Sequence, residues 1–306
     1  MIDCHCDALW KMWSKAYEFA NDSRLSVNRE KWLNSNVQVQ CFAIFVPPEV
    51  PMEAKFTTGL QMIDLFFDKI IQPYPEIKFI TNKQDILSLK NTERGGAILT
   101  LEGLDLIGSD LYKLRILLHL GVKMVGLSWN NPNLVTDGVM EQRGAGLTVF
   151  GKEVIQLLNQ YNIWTDLAHI SYSGFFEAVQ LADFPMVSHA NVQAVHPHPR
   201  NLDDKQIQVL IEKGGGLIGI NFVREFLTTK QYVTYDDIYQ HIDYLLHKGA
   251  EKNIIFGSDF DGSDDLADQL KNIDQYPAFI SYLKTLLSDY TLNRITSNNF
   301  VENLPF

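Results

Sequence analysis

Hydrophobic and polar positions follow two periods along this chain, and the two periods alternate. Short apolar runs, typical of buried strands, are separated by stretches in which apolar residues recur at helical spacing. Leu60, Ile63 and Phe67 show the helical spacing. The apolar runs predict eight strands, over residues 2–7, 37–46, 97–101, 123–127, 163–168, 184–188, 216–221 and 253–257.

Helices are predicted between most of these strands. They cover residues 54–71, 111–120, 148–161, 171–181, 203–213, 234–248 and 278–287, with a short helix near the C-terminus. Asp203 and Gln206 have the spacing of a capping box, which marks a helix start. Residues 10–32 are predicted to be a polar segment with aromatics. Residues 128–146 form a loop longer than most connections, which indicates a functional role.

Strands that alternate with helices, without a linker or a shift in composition, favour one (β/α)8 barrel. The predicted fold class is therefore α/β, a TIM-like barrel, with residues 1–306 as a single catalytic domain. A doubly wound sheet needs fewer strands and usually carries a glycine-rich turn after the first one. Here the first strand is followed by histidine and aspartate instead.

Charge and composition narrow the classes of partner. The formal net charge is −11, and no run of Lys or Arg is present, which argues against nucleic acid. No apolar run is long enough for a membrane span. Three cysteines, Cys4, Cys6 and Cys41, argue against a disulfide framework and favour a reducing compartment. We therefore expect a cytoplasmic protein without a signal peptide, and buried rather than metal-bound cysteines.

Polar residues of metal-ligand type follow the C-terminal ends of five predicted strands. In barrels of this kind those ends form the active face, so the side chains should converge on one mouth. Three imidazoles and three carboxylates suit borderline divalent metals such as Zn²⁺, and six groups are too many for one tetrahedral site. The candidate ligands are His5, Asp7, Glu102, His169, His189 and Asp259.

Other polar residues are weaker candidates. Three histidines lie on predicted helices and are interpreted as surface or satisfied core residues: His119, His241 and His247. His196 and His198 flank prolines and are interpreted as structural. Arg200 follows the sixth predicted strand, where it can either hold a substrate carboxylate or lie in solvent.

Several motifs, taken in order along nearly the whole chain, resemble one family. They are Asp3-Cys4-His5-Cys6-Asp7, Leu101-Glu102-Gly103, Gly146-Leu147-Thr148-Val149-Phe150-Gly151, Asp166-Leu167-Ala168-His169-Ile170-Ser171, Ser188-His189-Ala190, His198-Pro199-Arg200-Asn201-Leu202 and Gly257-Ser258-Asp259-Phe260-Asp261-Gly262. Together they resemble the membrane dipeptidase (renal dipeptidase-like) family of zinc peptidases, in its bacterial type.

The resemblance implies a dinuclear zinc dipeptidase on a distorted barrel. By that carry-over, one Zn²⁺ takes His5, Asp7, Glu102 and Asp259, and the other takes Glu102, His169 and His189. Glu102 would bridge the two ions, Asp259 would carry a proton to the leaving amine, and Arg200 would contact the substrate. The resemblance also implies a small dipeptide substrate, tolerance of a D residue at its C-terminal position, and a homodimer.

One position departs from the family pattern. Animal members have a histidine after the fourth strand that contacts the substrate, whereas this chain has Leu127-Ser128-Trp129 there. Asn130 or Asn131 can supply a hydrogen-bond donor instead. Trp129 and Asn130 are therefore candidate substrate contacts, and a catalytically weak barrel is an alternative. A smaller departure is Ser297-Asn298-Asn299-Phe300, where the family usually has a glycine pair.

Another dinuclear amidohydrolase or a lactonase is the remaining alternative. Such barrels usually begin with His-x-His and bridge their metals through a modified lysine. His5-x-Asp7 and Glu102 argue against that arrangement. A barrel kept only for binding is disfavoured by the complete set of ligand-type residues.

Overall fold

The computed structural model describes residues 1–89 and 95–306. Those residues form a sheet of nine parallel strands. In chain order they are β1 (Ile2–Asp3), β2 (Val39–Phe45), β3 (Ile77–Phe79), β4 (Gly95–Glu102), β5 (Val122–Gly126), β6 (Trp164–Asp166), β7 (Pro185–Ala190), β8 (Leu217–Ile220) and β9 (Ile254–Phe256).

Eight of these strands close into a ring. β1 pairs with both β2 and β9, with Ile2 opposite Val39 and Asp3 opposite Phe256. β2 pairs with β4 over its whole length, from Val39 opposite Gly96 to Phe45 opposite Glu102. The remaining neighbours follow chain order from β4 to β9. The predicted barrel is thus confirmed, and β3 is an additional strand outside the ring on β4.

Helices surround the ring. The described residues contain α1 (Ala8–Lys15), α2 (Arg29–Asn34), α3 (Met52–Leu65), α4 (Lys83–Leu87), α5 (Leu111–His119), α6 (Val149–Gln160), α7 (Tyr172–Leu181), α8 (Asp204–Glu212), α9 (Arg224–Leu227), α10 (Tyr235–His247), α11 (Tyr276–Leu283), α12 (Asp289–Asn293) and α13 (Asn299–Glu302). π-Helical turns extend α3 over Phe66–Ile71 and join α12 to α13 over Arg294–Asn298. Short 3-10 turns cover Asp105–Ile107 and Ile273–Gln275.

Elements with a strong local signal in the sequence were predicted correctly, and elements with a weak signal were missed. Asp203 accepts from the backbone of Gln206, whose side chain accepts from the backbone N–H of Asp203, so the predicted capping box starts α8. The segment predicted as polar, residues 10–32, overlaps the two helices α1 and α2. Asp7 precedes α1 without capping it through its side chain, so α1 lacks a start signal.

The core has two layers, as a closed barrel requires. One apolar cluster takes a residue from each ring strand: Ile2, Cys41, Ile98, Met124, Trp164, Met186, Leu217 and Ile255. It therefore fills the inside of the ring, where the ring centroid of Phe300, in α13, lies 4.8 Å from that of Trp164. The larger cluster lies between strands and helices. All three cysteines are buried, as predicted.

Within residues 1–89 and 95–306, no helix combines the length and the apolar composition that crossing a lipid bilayer requires.

Candidate metal centre

All six candidate ligand residues lie at one end of the ring, where the parallel strands finish. His5 and Asp7 follow β1, and Glu102 is the last residue of β4. His169 follows β6, His189 lies near the end of β7, and Asp259 follows β9. The barrel therefore brings together residues that are up to 254 positions apart in the chain.

One half of the cluster is rich in carboxylates. The Nε2 atom of His5 lies 3.2 Å from Asp7 Oδ2, 3.7 Å from Glu102 Oε2 and 3.9 Å from Asp259 Oδ1. Ligand-type atoms of His5, Asp7 and Asp259 all lie within 4.8 Å of one another. This spacing lets one cation contact several of them at once.

The other half of the cluster is formed by two imidazoles and the second oxygen of Glu102. His169 Nε2 lies 2.8 Å from His189 Nε2. Glu102 Oε1 lies 3.0 Å from His169 Nε2 and 3.6 Å from His189 Nε2. The two oxygens of the Glu102 carboxylate therefore face different groups of candidate ligands.

Hydrogen bonds on the far side of each imidazole fix which nitrogen carries the proton. His169 Nδ1 lies 2.7 Å from Asn130 Oδ1, so it is the donor. His189 Nδ1 lies 2.7 Å from Ser188 Oγ, whose hydroxyl donates to Asp166 Oδ2 at 2.6 Å. Both Nε2 atoms are then left with lone pairs that face each other.

Those facing lone pairs make a cation the natural partner at this point. Two unprotonated nitrogens 2.8 Å apart repel each other unless a positive charge lies against both. His5 Nε2 and Asp7 Oδ1 are also buried without a hydrogen-bond partner. Histidine nitrogens with carboxylate oxygens are the donor set of zinc and similar metals. The residues present therefore fit a metal centre.

The electrostatics of the cluster also reflect crowded negative charge. Burial alone lowers the pKa of His5, but the Asp7 and Glu102 carboxylates raise it to about 10. Burial and the Asp7 carboxylate hold the pKa of Glu102 well above its usual range. Burial likewise raises the pKa of Asp259 and lowers the pKa values of His169 and His189. The shifts of Glu102, Asp259, His169 and His189 all favour the neutral form of a buried group, whereas the shift of His5 favours its protonated form beside the carboxylates.

Backbone strain is concentrated beside the cluster. Among the described non-glycine residues, five have a positive φ, and three belong to the site loops: His169 (64°), Asp259 (63°) and Asp261 (69°). Such conformations cost energy and are retained where the surroundings impose them. A Cβ atom at Gly262 would overlap both Asp259 Oδ1 and Asp7 Oδ2. Glycine at this position therefore lets the two carboxylates approach.

A cavity of about 320 Å³ opens over the cluster. Asp7, Glu102, His169 and Asp259 lie at its base. None of the described residues that line it is a lysine or an arginine, and its walls are mainly aromatic, proline and acidic. Those wall residues include Trp10, Phe45, Pro47, Pro48, Glu49, Trp129, Glu225 and Phe226. Its size suits a small molecule that meets the cluster at one end.

The candidate substrate residues occupy different positions around this cavity. Trp129 lines it, and its ring centroid lies 5.3 Å from that of Phe45. Asn130 also lines it, but its side-chain oxygen already accepts from His169. Arg200 is buried and lines an adjacent cavity of about 110 Å³, which shares His169 with the first. Its guanidinium donates to the His189 carbonyl at 3.1 Å, and its Nε has no partner.

The other histidines take the structural positions expected of them. His241 is fully buried, accepts from the Val192 N–H at 3.0 Å and bonds the Leu227 carbonyl at 3.1 Å. His119 and His247 are exposed. His198 accepts from the backbone N–H of Arg200.

Several residues behind the cluster were not predicted from sequence. Asp3 accepts from the backbone N–H of Ser258 at 2.9 Å and from its hydroxyl at 2.7 Å. Asp166 accepts from the same two groups of Ser188, at 2.8 and 2.6 Å. Each serine immediately precedes a candidate ligand. The only sequence signal was that aspartate, serine and ligand recur within the motifs.

Comparison with known proteins supports the metal centre that the geometry indicates. The sequence profile of the membrane dipeptidase family (peptidase family M19) matches residues 1–304. The chain belongs to the membrane dipeptidase family. It is 34% identical over 175 residues to an uncharacterised protein from the pqqA 5′ region of Klebsiella pneumoniae, covering 54% of this chain and 64% of that protein. An uncharacterised dipeptidase of Schizosaccharomyces pombe is 26% identical over 284 residues, covering 86% and 67%.

A solved metallopeptidase structure shares the fold. A metallopeptidase from Rhodobacter sphaeroides, liganded with a phosphinate mimic of the dipeptide L-Ala-D-Ala, superposes with a TM-score of 0.92. It is 22% identical and aligned over 99% of this chain and 97% of its own. The chain spans about two thirds or less of the length of the two curated relatives above.

Proposed function

We propose that this chain is a dinuclear zinc dipeptidase. The observation that carries the proposal is the pair of unprotonated imidazole nitrogens beside Glu102, His5 and Asp7 at the base of a small cavity. Membership of the membrane dipeptidase family supports metallopeptidase chemistry. Dinuclear amidohydrolases usually bridge their metals through a modified lysine, whereas the bridge proposed here is Glu102.

The ligand set divides into two metal positions. One Zn²⁺ would take His5, Asp7, Glu102 and Asp259, and the second would take Glu102, His169 and His189. The support is the distance pattern, in which each oxygen of Glu102 faces a different set.

Hydrolysis of the amide bond assigns separate tasks to the residues of the chain. When bound, two divalent cations would supply hydroxide near neutral pH and polarise the substrate carbonyl. Asp259 would take the proton of the attacking water and return it to the leaving amine. Asn221 donates to Asp259 Oδ2 at 2.8 Å, which holds that carboxylate and leaves Oδ1 turned toward His5.

A combined metal and substrate assay tests this function. We expect elemental analysis after zinc loading to give close to two ions per chain. We also expect zinc-dependent hydrolysis over a panel of dipeptides that contains both stereoisomers at the second residue. Trp129 narrows the cavity, so turnover should be slow and confined to small or D-configured second residues. The relative that binds a mimic of L-Ala-D-Ala supports that preference.

Two results of that assay would reject the proposal. A saturating value of one ion or none would exclude the dinuclear centre. Hydrolysis of lactones but not of dipeptides would favour another dinuclear hydrolase.

Arg200 is proposed to hold the terminal carboxylate of the substrate. Its Nε is buried without a partner, and a charged bidentate pair is among the stronger hydrogen bonds. Removing one member of a buried pair costs about 2–5 kcal/mol. Arg200→Ala should therefore lower kcat/KM roughly 30- to several-thousand-fold, at about 1.4 kcal/mol per factor of ten.

A double cycle of enzyme variant against amidated substrate measures that contact. Amidation should lower kcat/KM of the parent enzyme by a similar factor and cause little further loss in Arg200→Ala. If the two losses are independent, so that their logarithms add, Arg200 does not contact the carboxylate.

A further inference from the structure

The Ser188 hydroxyl links two hydrogen bonds, one to Asp166 and one to His189, and so acts as a relay that couples their directions. Ser188 is fully buried in β7, between the Asp166 carboxylate and the His189 ring. Its carbonyl oxygen accepts from the Cys4 thiol at 3.0 Å, and a Cβ atom at Gly219 or Gly257 would overlap that carbonyl. The strand is irregular here, since its register with β8 shifts between Val187 and Ala190. Neighbouring strands thus hold the serine in place.

Asp166 sets the direction in which this relay points. Its Oδ1 accepts from the backbone N–H groups of Ala168 at 3.0 Å and Ser188 at 2.8 Å. Its Oδ2 accepts from the Ser188 hydroxyl. A carboxylate is an acceptor only, so the serine proton must point toward Asp166. The serine oxygen is then left to accept from His189 Nδ1–H.

We infer that Asp166, acting through Ser188, is a positioning residue that keeps the proton of His189 on Nδ1 and so leaves Nε2 free to bind metal. This inference rests on the proposed metal centre. It assigns a role to two residues that touch neither the cavity nor the candidate metal positions.

Asp166→Asn reverses the relay without changing its shape. The amide oxygen must face the two backbone N–H groups, so the amide NH₂ faces the Ser188 hydroxyl. Ser188 then accepts from Asn and donates to His189 Nδ1. The ring proton is thereby moved to Nε2, the nitrogen that the metal needs. The two backbone hydrogen bonds keep their direction, and the two hydrogen bonds of the Ser188 hydroxyl are still made with donor and acceptor exchanged.

Three measurements on Asp166→Asn separate this role from a structural one. In metal-free protein, ¹⁵N-histidine NMR should place the His189 proton on Nε2 in the variant and on Nδ1 in the parent, with His189→Gln used to assign the signal. Zinc affinity, measured by competition with a chelator, should fall about 10–100-fold, as for other groups that orient a metal-bound histidine. The urea midpoint of the metal-free protein should stay close to that of the parent.

Asp3 and Ser258 provide a matched control. Asp3 accepts from the N–H and hydroxyl of Ser258 with nearly the same distances as the Asp166 pair. There, however, the serine hydroxyl also lies 3.0 Å from the His5 carbonyl, which accepts it after reversal. Asp3→Asn should therefore leave the histidine tautomers unchanged and zinc affinity within a few-fold of the parent.

Ser188→Ala and the double variant complete the test. Ser188→Ala removes the acceptor of His189 Nδ1–H and should also lower zinc affinity about 10–100-fold. Because both residues act as one relay, Asp166→Asn with Ser188→Ala should lose no more affinity than the weaker-binding single variant.

Three results would overturn the inference. They are losses of zinc affinity that multiply in the double variant, an unchanged His189 tautomer in Asp166→Asn, and an equal loss of affinity in Asp3→Asn. If Asp166→Asn does not fold, an unchanged affinity in Ser188→Ala alone would overturn it. A full zinc complement of one ion would instead count against the dinuclear proposal only.

Discussion

A single glycine determines how the acidic half of the site is assembled. Gly262 lies against Asp7 and Asp259, which come from opposite ends of the chain. Both carboxylates occupy the space that a Cβ atom would need. Gly262 contributes to the site by leaving space, because it lacks a side chain, whereas Asp7 and Asp259 contribute their carboxylate oxygens.

Gly262→Ala should therefore weaken metal binding more than it weakens the fold. The added methyl would push Asp259 and Asp7 apart, and displaced ligands no longer share one cation. We expect zinc affinity to fall at least 10-fold, on the scale of other changes that misorient ligands. Calorimetric titration checks this. Gly214→Ala serves as a control for stability, since no atom lies within 4 Å of a Cβ placed there, although its φ of 76° adds strain. Parent-like affinity in Gly262→Ala would contradict the crowding argument.

The identity of the candidate ligands was accessible from sequence because strand ends could be located. Glu102 and His189 follow apolar runs that only a buried strand explains. The residues behind them were not accessible. Whether Asp166 meets Ser188 depends on the register between β6 and β7, where Asp166 lies opposite Met186. A one-residue change in register would separate them, and no local pattern encodes that choice.

At the level of elements, hydrogen bonds of His241 connect α10 to the segment after β7 and to the end of α9. The ring accepts from the N–H of Val192, which follows β7, and donates to the carbonyl of Leu227 at the end of α9. Burial lowers the pKa of His241 to about 4, so the fold favours the neutral ring. Protonation would place a charge among apolar groups and remove the acceptor for Val192.

This histidine should make stability depend on pH in a defined window. Its contribution is complete above the unfolded pKa of about 6.5 and is lost as the pH falls from there toward 4. The full loss is about 3 kcal/mol, from about 1.4 kcal/mol per pKa unit. His241→Gln can keep both hydrogen bonds without titrating. Urea unfolding at pH 7 and pH 4.5 should therefore show a smaller loss in His241→Gln than in the parent.

The exposed His247 provides the control for that measurement. His247→Gln should lose as much stability as the parent over the same interval. Equal losses in all three proteins would remove His241 as the cause.

Two of the elements missed from sequence, β3 and α4, are short. β3 and α4 contain three and five residues, too few for a period to be recognised. The strand β3 adds to β4 outside the ring, so its presence follows from an available edge and not from its own sequence. The ring strands were recognised because burial on both faces makes them continuously apolar.

At the scale of the whole molecule, the fold brings carboxylates together at the site and leaves their negative charge unbalanced. Three carboxylates surround His5 at the end of the barrel. A bound cation relieves this repulsion only in the folded chain. Metal and fold should therefore stabilise each other.

Removing metal should lower the free energy of unfolding. At a free concentration of about 1,000 times Kd, one bound ligand adds about 4 kcal/mol, and this is lost on chelation. Thermal unfolding with zinc and with excess chelator measures the difference. Glu102→Gln, which cannot balance two cations, should unfold at the same temperature under both conditions. A chelator effect of equal size in Glu102→Gln would place the metal elsewhere.

The pairing of β1 with β9 has a consequence for the order of folding. Asp3 and Phe256 lie near opposite ends of the chain, so we expect them to pair after the chain between them has been arranged into the rest of the ring. His5 and Asp259 follow these two strands, so we expect them to approach each other in the last step of closure. Contacts so distant in sequence form slowly, because a long loop must be ordered first. An open intermediate would hold His169, His189 and Glu102 on strands already paired but would lack the other side. Zinc uptake during refolding would then proceed in two phases, and the rate of the second phase would measure the pairing of β1 with β9.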